Sequence, residues 1–167
     1  MELNKPIYIG MSISDYSKIH MCSFHYDVLK PKYDDKIKLV HTDTDSFVIK
    51  VETGDICEDF KEIHEYIDFS DYPQEPPNYD NTNKKVVGKF KDEMNGKVIT
   101  HFIRLKPKVY CYKVYGDEKE HKKSKVVVKH KVSNQLSYKT YEEKLNRNCK
   151  EEVAFNIIRS KNHQIYI

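Results

Sequence analysis

The sequence predicts an α+β fold with short antiparallel hairpins. Two patterns carry this. Apolar, β-branched runs of about four to seven residues sit on either side of short polar turns. Helical periodicity brackets these runs instead of alternating with them one for one, so the chain does not read as a series of βαβ units. Composition agrees: 12% aromatic residues, thirteen of them tyrosines, with five glycines and six prolines in 167 residues, describe a chain able to bury a core of about one domain.

The first element is a helix capped by Ser12 or Ser14 and running to about Leu29, with Ile13, Tyr16, Ile19 or His20, Phe24 and Val28 on one side and Pro31 as its stop. Ile37–His41 reads as a strand, followed by a polar turn and a second strand over Phe47–Val51, which Gly54 and Asp55 break. Ile56, Phe60, Ile63 and Ile67 recur at helical spacing and predict a helix between Asp55 and Asp68. Pro73, Pro76 and Pro77 with the nearby Asn and Asp residues mark a loop. Val86–Glu93 reads as a strand and Asn95-Gly96 as a tight turn. Val98–Leu105 fits strand or helix, whereas Val109–Tyr115 alternates as a strand that turns at Gly116-Asp117. A strand over Val126–Val128, a helix over Ser137–Asn146 and two closing strands, Val153–Ile158 and Gln164–Ile167, complete the reading.

The net charge of +3 hides a segregation. Asp55–Asp80 holds nine acidic residues and only Lys61 against them, while Lys84–Lys131 holds fifteen Lys/Arg and five Asp/Glu. A basic half of this kind can meet a polyanion; the same pattern also suits two solvated faces of an ordinary domain. Cys22, Cys57, Cys111 and Cys149 are scattered without a paired spacing, as expected of reduced thiols in an intracellular protein and not of a disulfide scaffold or zinc site. No signal-peptide core and no apolar run near the ~20 residues of a membrane span is present, so a soluble, non-membrane chain is expected.

The chemistry concentrates in Lys38-Leu39-Val40-His41-Thr42-Asp43-Thr44-Asp45-Ser46-Phe47-Val48-Ile49. Two aspartates at a strand tip repel unless something cationic sits between them. They form a platform for Mg²⁺, a hard ion that takes one or two carboxylates and completes its shell with phosphate and water, and phosphoryl transfer uses such ions in pairs. An Asp-x-Asp turn can equally cap itself through side-chain hydrogen bonds. It is not an EF-hand loop, because the further oxygen ligand and the glycine are missing. Phe47 argues against an Asp-x-Asp phosphatase, and a metal-dependent glycosyltransferase would want a nucleotide-binding βαβ unit ahead of the turn.

Thr42-Asp43-Thr44-Asp45-Ser46 between apolar strands resembles motif C of family B DNA polymerases, usually spelled Tyr-x-Asp-Thr-Asp-Ser; His41 and Thr42 stand in place of Tyr-x. Lys108-Val109-Tyr110 is similar to the Lys-x-Tyr motif that follows motif C. The stretches Asn4–Gly10, Phe24-His25-Tyr26, Gly88–Glu93, Leu105–Tyr110 and Asn156–Ser160 resemble the protein-primed branch, found in viruses, organellar plasmids and Maverick/Polinton-type mobile elements. The resemblance implies a partial palm over residues 1–130, built on an antiparallel hairpin with flanking helices, and the start of a truncated thumb over 131–167. It implies that Asp45 holds catalytic Mg²⁺, that Asp43 supports the metal and its charge, and that Lys108 and Tyr110 hold the primer terminus. Its partners would be a DNA primer-template and a dNTP, with a terminal protein primer or an upstream polymerase piece, and its location the nucleus if it comes from a eukaryotic mobile element. The motif A aspartate and the motif B lysine of the family have no counterpart here, and Lys125-Val126 replaces the usual Lys-Gly. The expectation is therefore a polymerase fragment inactive by itself, with a domesticated DNA-binding module as the alternative.

Overall fold

The structure, a computed structural model, describes residues 6–73, 79–125, 127–150 and 152–154 with their side chains, and the backbone of Arg159–Lys161 and Gln164–Tyr166. It is α+β, as the sequence predicts, and divides into two compact units, the first ending at Gly96 and the second beginning at Lys97.

The first unit opens with α1 (Ile7–Ser23), which passes without a break into a π-helical turn over Phe24–Leu29 and then α2 (Lys30–Tyr33). The expected serine cap is not used: the helix starts at Pro6, and Ser12 Oγ instead donates back to the Tyr8 carbonyl at 3.0 Å. Pro31 does not stop the helix either. A proline lacks the N–H for the carbonyl four residues back and its ring clashes there; the wider π turn just upstream opens that position. Asp34, at φ 49°, closes the segment instead. The extra residue of the π turn also sets the core spacing, since Phe24, Leu29 and Tyr33 are all buried, five and then four residues apart. Upstream, Met21 is buried while Ile13, Tyr16 and Ile19 are exposed, so the inward side is not the predicted one.

β1 (Ile37–Asp43) and β2 (Ser46–Val51) form an antiparallel hairpin, slightly longer than predicted. Ile37 enters the core with Phe24, Leu29, Tyr33, Ile63, Ile67, Phe69 and Tyr72, and Phe47, Ile49 and Val51 pack against it. The predicted helix over 55–68 is only α3 (Ile56–Glu62), with Asp55 Oδ1 accepting from Cys57 N at 2.8 Å as its cap. The chain then leaves it through a 3₁₀ turn into β3 (Ile67–Asp68), which pairs in parallel with β4 (Phe90–Lys91). The predicted strand over 86–93 shrinks to that pair. Buried Asp68 ties it together, accepting from Ser70 N at 2.9 Å and Lys85 N at 3.2 Å, with Lys91 Nζ at 3.9 Å. Burial alone would raise its pKa; these donors hold it below the usual carboxylate value. Asn95 and Gly96 both adopt positive φ, as the tight turn requires.

In the second unit β5 (Ile99–Lys106), β6 (Val109–Val114) and β7 (His121–Ser124) make a three-stranded antiparallel sheet with β6 central. The ambiguous stretch is thus a strand; of the strand expected over 126–128, Val126 lies outside the described residues and Val127-Val128 is not strand, and the sheet's third strand falls at His121–Ser124. α4 (Lys129–Gln135), which the sequence does not predict, and α5 (Tyr138–Arg147) follow. Ser137 caps α5 in a reciprocal box with Thr140. Ile103, Val109 and Cys111 pack under Val132, Leu136 and Tyr141 as the core. Lys122 Nζ donates to the carbonyls of Ser133 at 3.2 Å and Leu136 at 2.6 Å, satisfying the end of α4. Short strands β8 (Arg159–Lys161) and β9 (Gln164–Tyr166) pair as a hairpin; the predicted strand over Phe155–Ile158 lies outside the described residues, and Val153-Ala154 is not strand. No helix among the described residues is long and apolar enough to cross a membrane.

Candidate functional site

The β1–β2 tip is a two-residue connection, Thr44-Asp45, closed by the pair Asp43↔Ser46. Two-residue hairpin loops favour positive φ, supplied by Gly or Asn, yet neither Thr44 nor Asp45 takes it. The tip is held instead by side chains. Asp43 Oδ1 accepts from Thr44 N at 2.9 Å and from Thr44 Oγ1 at 3.5 Å, and Thr42 Oγ1 donates to Asp43 O at 3.2 Å. From outside the hairpin, Ser17 Oγ on α1 donates to Thr44 O at 3.0 Å. One oxygen of the half-buried Asp43 therefore caps its own turn, while Asp45 is exposed at the apex. The structure supports the self-capping reading for one oxygen of Asp43, and it leaves the exposed carboxylate of Asp45 on the same rigid tip.

The register shifts between Leu39 and His41, a β-bulge at Val40. Bulges re-aim the residues that follow them. Beyond it, His41 and Asp43, two residues apart on one strand, share a face, and His41 is buried with a relative exposure of 5%.

As a donor set, Asp43 and Asp45 match what Mg²⁺ takes from a protein when phosphate and water fill the rest of its shell. Among the described residues no group of three or more His, Cys, Asp or Glu side chains gathers to hold a metal ion.

The second pair of predicted residues lies on the β5–β6 hairpin. Pro107-Lys108 connects strands closed by Lys106↔Val109. Lys108 has φ 60°, the left-handed region that a non-glycine residue enters at a cost. Proline followed by positive φ is the order of a type II turn, whose second central residue is usually Gly. The Lys108 carbonyl accepts from Lys125 N at 3.1 Å, which fixes the turn from the β7 side.

Tyr110 lies opposite Arg104 on β5 and Lys123 on β7. It is not part of the unit's core, because Ile103 and Cys111 occupy the other face. Its ring neighbours are Phe102 at 5.7 Å and Tyr112 at 6.4 Å, with Lys123 Nζ 5.5 Å from its centroid. Tyr112 in turn stacks on His121 at 4.7 Å. The sheet thus has an apolar face turned to α4 and α5 and an aromatic face edged by Arg104 and Lys123. Beneath it, burial pushes the Cys111 thiol up to about 11 and the Tyr141 hydroxyl to about 12. Neither group is poised for acid–base work near neutrality. A cavity of about 360 Å³ beside α5, with Leu105, Val109, Leu136 and Tyr141 among its walls, contains none of the predicted residues.

The predicted residues therefore fall at two hairpin tips, one in each unit, with opposite charge around them. The first unit carries 19 acidic and 12 basic residues, a net of −7; the second carries 17 basic and 7 acidic, a net of +10. Sequence reasoning missed Ser17, whose role no local pattern signals. It also missed Phe102, Arg104, Tyr112 and Lys123 around Tyr110, although the alternation along β5 and β6 contained them. No protein-family model, curated protein or solved structure matches the chain.

Proposed function

We propose that this chain is the C-terminal palm and early thumb segment of a protein-primed family B DNA polymerase, with Asp43 and Asp45 as its share of the metal site. The supporting observation is the hairpin tip: two rigid apolar strands joined by Thr44-Asp45, with Asp43 closing the ladder and Asp45 at the apex. In this reading Asp45 would ligate a Mg²⁺, which would supply charge neutralisation for nucleotidyl transfer, and Asp43 orients the turn through one oxygen while adding its charge. Lys108 and Tyr110 hold the primer strand: an ammonium for phosphate affinity, and a phenol to bond sugar or phosphate without reading sequence. The palm extends to about residue 130 and the thumb begins after it. A further carboxylate must come from another polypeptide segment, so the chain alone does not extend primers.

The test has two arms. Mn²⁺ binding followed by electron paramagnetic resonance is expected to be weak but specific, and lost in Asp45→Ala. Primer extension by the purified chain is expected to be absent with Mg²⁺. Loss of the metal signal in neither Asp43→Ala nor Asp45→Ala would overturn the metal reading, and Mg²⁺-dependent extension would overturn the fragment reading.

A second reading has its own support. The +10 of the second unit and the cations edging its aromatic face suit a non-catalytic DNA-binding module. Salt-dependent DNA binding that survives Asp43→Ala/Asp45→Ala without any metal site would favour it. A metal-dependent glycosyltransferase fits worse, since the described chain ahead of β1 is helical from Ile7 to Lys36.

A further inference from the structure

The core of the second unit is not closed on every side. Val109, Leu136 and Tyr141 are buried core residues, yet they also border the cavity of about 360 Å³ beside α5. Val127 and Val153, which pack on that core, and Leu105 near the end of β5 complete its apolar wall. The Tyr141 hydroxyl is taken by the Lys123 carbonyl at 3.2 Å, so the ring enters the wall as apolar surface. Domain interiors leave few voids larger than a water molecule, and atoms that face such a gap forgo their dispersion contacts. An engineered apolar cavity of about 150 Å³ holds one benzene, so the space here takes a group of about two fused rings.

The rim has a different chemistry. Lys106 at the end of β5, Lys144 on α5 and Lys150 beyond it bring three ammonium groups, against Glu152 as the one carboxylate among the bordering residues. Lys106 and Lys150 are exposed and Lys144 is half-buried, as expected of lysines whose methylene stems cover apolar wall while the charged ends stay in water. A neutral apolar molecule would meet the wall and gain nothing from this rim, and a cation would be repelled by it. An anion gains at both places, and an ion pair at so wet an edge avoids the desolvation cost of a buried one.

We propose that this cavity binds a small organic anion with an apolar body, a carboxylate or sulfonate on a group about the size of naphthalene. The body fills the gap against Val109, Leu136 and Tyr141, and the anionic head lies among Lys106, Lys144 and Lys150. This is the usual form of a small-molecule site, concave and mostly apolar with a few polar groups that fix orientation. β5, α5 and the residues after α5 all border the cavity, so the bound ligand ties these three parts together and stabilises the second unit. Asp43, Asp45, Lys108 and Tyr110 take no part, and the site does not depend on the polymerase reading.

Isothermal titration calorimetry of the full chain with 2-naphthoate is expected to show saturable binding, with Kd on the order of 100 μM. Its neutral counterpart, 2-naphthalenemethanol, should bind roughly tenfold more weakly. Excess inorganic phosphate at constant ionic strength should not displace the naphthoate. Lys144→Glu/Lys150→Glu should weaken the acid by roughly tenfold and leave the alcohol unchanged. Lys139→Glu, on the same helix and not bordering the cavity, should leave both unchanged. Val153→Trp, which fills the cavity from its edge, should abolish both, with far-UV circular dichroism reporting that the fold remains; should that variant not fold, the lysine pair still decides. Equal affinity for acid and alcohol, displacement by phosphate, or no binding of the acid overturns the proposal, as does binding that a folded Val153→Trp leaves intact.

Discussion

Two hairpin tips of two residues each invite comparison, Thr44-Asp45 in the acidic unit and Pro107-Lys108 in the basic one. They solve the same geometric problem by different means. The first keeps ordinary backbone angles and is clamped by side chains, Asp43 from within and Ser17 from α1. The second is set by its backbone, with proline fixing one central residue and Lys108 driven into the left-handed region. A tip that displays carboxylates must hold them close against their mutual repulsion, and clamping does that. A tip that displays an ammonium faces no such repulsion, and can spend local strain on direction alone.

On this contrast, β-branched residues should be punished at one tip only. Lys108→Val should cost about 1–3 kcal/mol, because a β-branched side chain is a genuine outlier at positive φ. Asp45→Val should stay within about 0.5 kcal/mol of the parent, as an exposed residue with no such backbone demand. Urea unfolding monitored at 222 nm measures both. Equal losses at the two positions would erase the distinction.

The clamp can be loosened next. Ser17→Ala removes one hydroxyl from the Thr44 carbonyl and should cost about 1 kcal/mol. Amide exchange at Thr44 and Asp45 should rise, while exchange at Val109 and Tyr110 stays at its parent rate. The smallest stability effect belongs to Lys108→Gly. Relief of the left-handed strain and the added freedom of the unfolded glycine nearly cancel, leaving a change within about 1 kcal/mol. DNA affinity should still fall, with the slope of its dependence on log salt reduced by about 1. An unchanged slope would mean that Lys108 meets no phosphate.

Local chemistry that depends on few neighbours was readable from the chain. The β-branched runs on either side of Asp43–Asp45, the Asn95-Gly96 turn and the helix that opens at Ser137 all lie where the residues place them. Elements created by tertiary contact were not. β7, His-Lys-Lys-Ser, has no apolar residue to announce it and exists because β6 offers its backbone. α4 has Val132 as its one buried residue, and Lys122 reaches across from β7 to finish its carbonyls. The candidate residues were legible as motifs, but their support was not. A serine 27 positions before Thr44 gives no sign that it will hold the turn.

The π turn at Phe24–Leu29 sets the phase between α1 and the buried residues that follow it, Leu29 and Tyr33. Relative to an uninterrupted α-helix it contains one residue too many, and one residue is about 100° of rotation. Deleting a single residue from His25–Val28 would restore the ordinary ladder and turn everything upstream by that angle while Leu29 and Tyr33 stay in place. Met21 would swing toward solvent, a different row of side chains would meet the core, and Ser17 would lose its line to Thr44. The turn acts as a phase setting: a single inserted position decides which row of a 17-residue helix is interior, and with it whether the acidic tip is held.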